Sequence, residues 1–130
     1  MPFVGLAIVP EFASSVLLPR LVGHAKAAQM LMLNEAFSAR EAVSMGLANA
    51  VLEPDAVLDH ARAAAKQLSA LPQAAVRETK RLMRSPFREE VSTAIVKEAL
   101  TLAERLDSAE AKEAFRAFLN KRHPTTGGTA

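Results

Sequence analysis

Apolar residues recur at three- and four-residue intervals along most of this 130-residue chain, the spacing that lines one face of a helix. The first nine residues read differently. Phe3 to Val9 is a short continuous apolar run closed by Pro10, like the end of a buried strand or a packed loop. Pro10 suits a first helical position, and the pattern predicts one or two turns over 11–18 before Pro19 interrupts them. Gly23 and His24 punctuate the chain, and 26–33 predicts a short apolar helix. Ser38-Ala39-Arg40-Glu41 has the spacing of a capping box, and Gly46 is a suitable residue to end the helix that it opens. The alternation in Leu47-Ala48-Asn49-Ala50-Val51-Leu52 predicts a short strand ending at Glu53-Pro54.

Three longer helices are predicted next. Val57, Ala61, Ala64, Leu68 and Leu71 share a face of the first. Pro72 opens the second, in which Val76, Thr79, Leu82 and Met83 lie opposite Arg77, Lys80, Arg81 and Arg84, and Ser85-Pro86 breaks it. The third runs from about 88 to 106 with Val91, Ile95, Ala99, Leu102 and Leu106 facing inward. Asp107-Ser108-Ala109-Glu110 starts a last helix whose stripe is Ala111, Phe115, Phe118 and Leu119, and Pro124 ends it. The polar segment 125–130 is expected to be disordered. No internal repeat appears, so the fold class expected is mainly α with one or two short strands.

Composition narrows the classes. Half of the residues are apolar and there is no cysteine, which excludes disulfides, thiolate metal sites and a cysteine nucleophile. A net charge of +2 is too small to indicate nucleic acid. The six aromatics are all Phe and do not alternate with basic residues as a base-stacking platform would. No apolar run is long enough to span a membrane, and the N-terminal stretch has neither a basic segment nor a small-residue cleavage site. A soluble cytoplasmic protein is expected.

Glu11 is the residue most suggestive of chemistry. Its sequence neighbours are apolar, and a carboxylate in apolar surroundings resists ionisation, the condition for moving protons near neutral pH. The competing reading makes it a first-turn acid that complements a helix dipole. His24, His60 and His123 lack metal-ligand spacing, so no metal is expected. Ser14 and Ser15 have no nucleophile-elbow context and read as local helix caps. The basic faces at 77–84 and 121–123 read as solvated surfaces or dipole complements, with an anionic ligand as the sharper alternative.

Several stretches together carry a family resemblance. They are Phe3-Val4-Gly5-Leu6-Ala7-Ile8-Val9-Pro10-Glu11, Leu18-Pro19-Arg20-Leu21-Val22-Gly23, Phe37-Ser38-Ala39-Arg40-Glu41-Ala42 and Met45-Gly46-Leu47-Ala48-Asn49. Pro72 to Lys80 and the closing Glu113 to Arg122 complete the set, which runs in order from residue 2 to about 124. The chain resembles the crotonase superfamily of enoyl-CoA hydratases and isomerases, over the C-terminal half of the fold. Hydratases of that family carry a catalytic Glu directly after the proline matching Pro2, and Phe3 stands there. The family's Gly-Gly-Thr-Gln turn reads Ala13-Ser14-Ser15-Val16 after Pro10-Glu11, a pattern similar to the 3,2-trans-enoyl-CoA isomerase branch, whose single catalytic Glu falls on Glu11.

The resemblance implies an α/β crotonase-like spiral fold of which this chain is the helical C-terminal portion. On that frame 1–53 is the end of the core with short helices, 54–124 a helical trimerisation region and 125–130 a tail. It implies an enzyme of β-oxidation or related fatty acid metabolism that shifts a double bond in an unsaturated fatty acyl-CoA, working through one glutamate. Coenzyme A enters as part of the substrate, with no separate cofactor. A homo-oligomer, a trimer or a dimer of trimers, is implied, and Phe118 and Lys121 are placed near the nucleotide end of CoA. The half that supplies both oxyanion-hole amides is not matched, so the chain by itself is expected to be inactive. Enoyl-CoA hydration, a lyase reaction, and a non-catalytic helical oligomerisation fragment are the alternatives.

Overall fold

The computed structural model describes residues 3–122, with side chains up to 120. Seven α-helices run in order: α1 (Ser14–Val22), α2 (His24–Met32), α3 (Ala39–Ser44), α4 (Val57–Ser69), α5 (Gln73–Arg84), α6 (Arg88–Leu106) and α7 (Ala109–Arg122). Single 3₁₀ turns sit at Val4–Leu6, Pro54–Ala56 and Ser85–Phe87. By internal contacts the chain divides into two compact units, one made of residues up to 36 together with those from 92 on, the other of 37–91.

In the first unit α1 packs against α2, and α7 against the 3₁₀ turn Val4–Leu6. Ala13, Leu18, Ala27, Met30, Leu31, Ala94 and Ala111 form the buried apolar set. Helix α1 runs through Pro19 rather than stopping there. The ring removes one backbone bond, a cost that burial of Leu18 and packing on α2 offset. Long-range polar contacts reinforce this unit: the Arg105 Nε–H donates to the Ala7 carbonyl at 3.1 Å, across 98 residues of sequence. A Cβ at Gly5 would come within 2.7 Å of the Asn34 side-chain nitrogen, so a larger residue there would have to push the Asn34 amide aside.

The second unit is held by local bonds. Ser38 and Glu41 form the expected capping box, with Glu41 N–H donating to the Ser38 hydroxyl and Ser38 N–H to the Glu41 carboxylate. Gly46 takes the expected left-handed conformation, φ +75°, after α3. The Gln73 side-chain amide donates to carbonyls at 68, 69 and 71, tying the start of α5 to the end of α4. None of the described residues in this unit is buried.

Two further expectations change. The strand over 47–52 does not form: these residues are neither helical nor paired into a ladder, because a strand exists only by exchanging bonds with a neighbour and the described residues offer none. The inward stripe of α6 is rotated from the one predicted. Ile95, Ala99 and Leu106 are exposed, while Ala94 and Glu98 are buried, flanked by half-buried Val91, Leu102 and Arg105. The calls that fall on residues 123–130, including Pro124 and the tail, lie outside the described residues.

Candidate functional site

The turn from Pro10 to Ser15 joins the N-terminal segment to α1, and it is built in an unusual way. Phe12 and Ala13 adopt consecutive left-handed conformations, φ 62° and 56°, a region that costs a non-glycine residue roughly 1–2 kcal/mol each. Ala13 is completely buried whereas Phe12 is 86% exposed. Behind the turn, Ser14 clamps the Glu11 carbonyl twice: its N–H donates at 3.1 Å and its hydroxyl at 2.6 Å.

The N-terminus of α1 has no capping side chain of its own, since Ala13 occupies the N-cap. Its cap comes from α6. Glu98, a buried carboxylate, accepts the Ala13 N–H on Oε2 at 2.6 Å and the Ser15 N–H on Oε1 at 2.9 Å. The Ser15 hydroxyl also donates to Glu98 Oε1. A carboxylate bonded to first-turn amides satisfies orphan donors and lies at the positive end of the helix dipole. Charged groups this buried persist only when so partnered.

Glu11 itself is exposed, which corrects the expectation that its apolar sequence neighbours enclose it. Phe12, the nearest of those neighbours, turns out to be exposed as well, because the left-handed pair redirects the chain. Neither is Glu11 a first-turn acid: α1 begins three residues later, and its first turn contains no acidic residue. Glu98 performs the dipole role that sequence reasoning considered for Glu11. Phe118 lies on α7 in the same unit as Glu11 and is partly exposed, while the side chain of Lys121 lies outside the described residues. Sequence reasoning missed Glu98. The available signal was one acid in the helical series Val91, Ala94, Glu98, Leu102, where every other member is apolar.

No group of three or more metal-ligating side chains occurs among the described residues, and no described helix is long and apolar enough to cross a membrane. The second unit carries an apolar groove of about 660 Å³ between the end of α4 and α5, lined by Leu68, Leu71, Val76 and Met83 with Lys80 and Arg84 at its margin.

Comparison with known proteins agrees with this architecture. The family described as Enoyl-CoA hydratase/isomerase matches residues 1–128. A short-chain-enoyl-CoA hydratase from Clostridium acetobutylicum is 31% identical over 121 residues, which cover 93% of this chain and 46% of that protein. Among solved structures, Pseudomonas aeruginosa OdaA superposes with a TM-score of 0.89 at 52% identity, covering 92% of this chain and 49% of its own. An enoyl-CoA hydratase/isomerase from Pseudoalteromonas atlantica gives 0.86 at 42% identity, covering 94% and 49%. The chain thus spans about half the length of these relatives, as a mainly helical portion of the crotonase fold. With residues 1–128 matched by the family's model, this protein belongs to the enoyl-CoA hydratase/isomerase family.

Proposed function

We propose that the chain is part of an enzyme that moves the double bond of an unsaturated fatty acyl-CoA by one carbon, with Glu11 as the sole acid/base. The Glu11 carboxylate takes the proton from the α carbon of a 3-enoyl thioester. The electron pair of that C–H bond becomes the new α–β double bond, the old one shifts its pair to the γ carbon, and the proton is returned there. The observation that carries this reading is Phe3. It is half-buried at the position where the resemblance places the hydratases' Glu, which leaves Glu11, in its held turn, as the one carboxylate of the pair. Hydration is the second reading, favoured by relatives named as hydratases. Acyl-CoA is the substrate class in either case, the resemblance implies Phe118 and Lys121 near its nucleotide end, and a cytoplasmic homo-oligomer, a trimer or a dimer of trimers, is the expected form.

Proton abstraction α to a thioester also needs donors for the oxygen that gains charge, and losing one such donor typically costs about 100- to 1000-fold. The resemblance assigns those amides to a part of the fold that these residues do not match. The 130-residue chain is therefore expected to show no measurable turnover by itself; robust conversion of a 3-enoyl-CoA would overturn that account. In a protein completed with that part, Glu11→Gln should lower kcat by more than tenfold while acyl-CoA binding stays nearly constant, because Gln keeps the shape but accepts no proton. Retention of more than about a tenth of the rate would remove Glu11 as the base.

A further inference from the structure

We propose that Glu98 is a positioning residue for Glu11, a long-range clamp that fixes the turn from which the Glu11 carboxylate is presented; this rests on the reading of Glu11 as the acid/base. Three donors converge on the Glu98 carboxylate, the N–H groups of Ala13 and Ser15 and the Ser15 hydroxyl, from a segment 83 to 85 residues away in sequence. The residues it grips flank Ser14, whose N–H and hydroxyl hold the Glu11 carbonyl. A continuous chain of bonds therefore leads from α6 to the backbone of Glu11. The turn needs such a clamp. Phe12 and Ala13 both sit in a conformation that non-glycine residues avoid, and Ala13, at the N-cap, has no side-chain bond with which to hold the start of α1. The buried carboxylate supplies charge-assisted bonds, stronger than neutral ones, to the two amides that exist in this arrangement only while the turn keeps its shape. Glu98 is remote from the reacting atoms by this account: it acts through Ser14, Ser15 and the left-handed pair.

Two measurements on the full 130-residue chain test the clamp without relying on turnover. Amide hydrogen exchange reads the turn, and the carbon-13 chemical shift of the Glu11 side-chain carboxyl at fixed pH reads where that group sits. Glu98→Gln keeps the size but puts a donor against a donor, so exchange at Ala13 and Ser15 should rise by about tenfold or more and the Glu11 carboxyl carbon-13 shift at fixed pH should move. Ser15→Ala removes one arm and leaves the charge of Glu98 in place. It should move both readouts in the same direction by less, which separates displacement of Glu11 from mere loss of a nearby charge, and it keeps the test available if Glu98→Gln fails to fold. Glu104→Gln, an exposed change on the same helix, should alter neither. Unchanged exchange at Ala13 and Ser15 in the Glu98 or Ser15 variant would overturn the clamp. Faster exchange with an unmoved Glu11 carboxyl shift in both would show that Glu98 caps α1 and does nothing for Glu11, which also overturns the proposal. Failure of the isomerase reading would appear separately, in the turnover of Glu11→Gln.

Discussion

Residues up to 36 and from 92 on, and residues 37–91, contain helices of similar quality, yet they spend their apolar residues differently. In the first unit α1 and α2 bury Leu18, Met30 and Leu31, and a carboxylate from α6 joins segments more than 80 residues apart. In the second, α4 and α5 present Leu68, Leu71, Leu82 and Met83 to solvent, Met83 at 71% exposure. The second unit does not lack pattern: the apolar and basic sides of α5 are cleanly separated. Among the described residues it lacks a covering surface. Amphipathic periodicity states that a face is meant to be buried, and says nothing about whether the partner lies within the same stretch of chain.

The sharpest way to break this contrast is a matched pair of truncations. Met30 is 1% exposed, so Met30→Ala should cost about 2–5 kcal/mol, whereas Met83→Ala should fall within about 0.5 kcal/mol in the dilute chain. Urea unfolding followed by circular dichroism measures both. Equal losses would mean that the α5 face is covered in solution. A related expectation concerns association. An exposed side chain of this kind gains roughly 1.5–3 kcal/mol on burial, so the chain should self-associate at raised concentration. Leu82→Lys combined with Met83→Lys should weaken that association in sedimentation experiments. A wild-type chain that sediments as a clean monomer with cooperative unfolding would make it an autonomous domain instead.

Smaller effects sharpen the account of local bonding. Ser38→Ala removes the hydroxyl that accepts the Glu41 N–H and should destabilise α3 by about 1 kcal/mol, read as faster amide exchange at Glu41. The least effect is expected at the start of α7. There the Lys112 ammonium bonds Asp107 Oδ1 at 2.6 Å, and this hydrogen bond, followed by the opposite charge, holds the Asp107 carboxyl below its ordinary range. A carboxyl lowered on folding contributes stability above its unfolded titration range and loses it as the pH falls through the folded one. The stability difference between Lys112→Ala and wild type should therefore be small at neutral pH and vanish on acidification. A difference that persists at low pH would point to packing by the lysine stem.

The helices were largely legible because their signals are local. The capping box at Ser38 and Glu41, the glycine stop at Gly46 and the bounds of α6 follow from residues within a few positions of one another. Pro19 was misjudged because a proline's local cost says nothing about the packing of Leu18 that offsets it. The candidate site was legible in its candidate residue and illegible in its surroundings. Glu11 stood out by motif, but its environment depends on a left-handed turn at Phe12 and Ala13 that neither residue type favours.

Sequence alone determined most helix starts and stops, the apolar residues at helical spacing, and the family resemblance that the comparisons bore out. Those properties rest on interactions between residues one to four positions apart, and the chain order displays them directly. Tertiary structure alone decided which apolar faces are covered, and that the cap of α1 comes from Glu98 instead of from a neighbour in the chain. A buried carboxylate is stable only where several donors converge on it, and convergence across 83 residues is a property of packing.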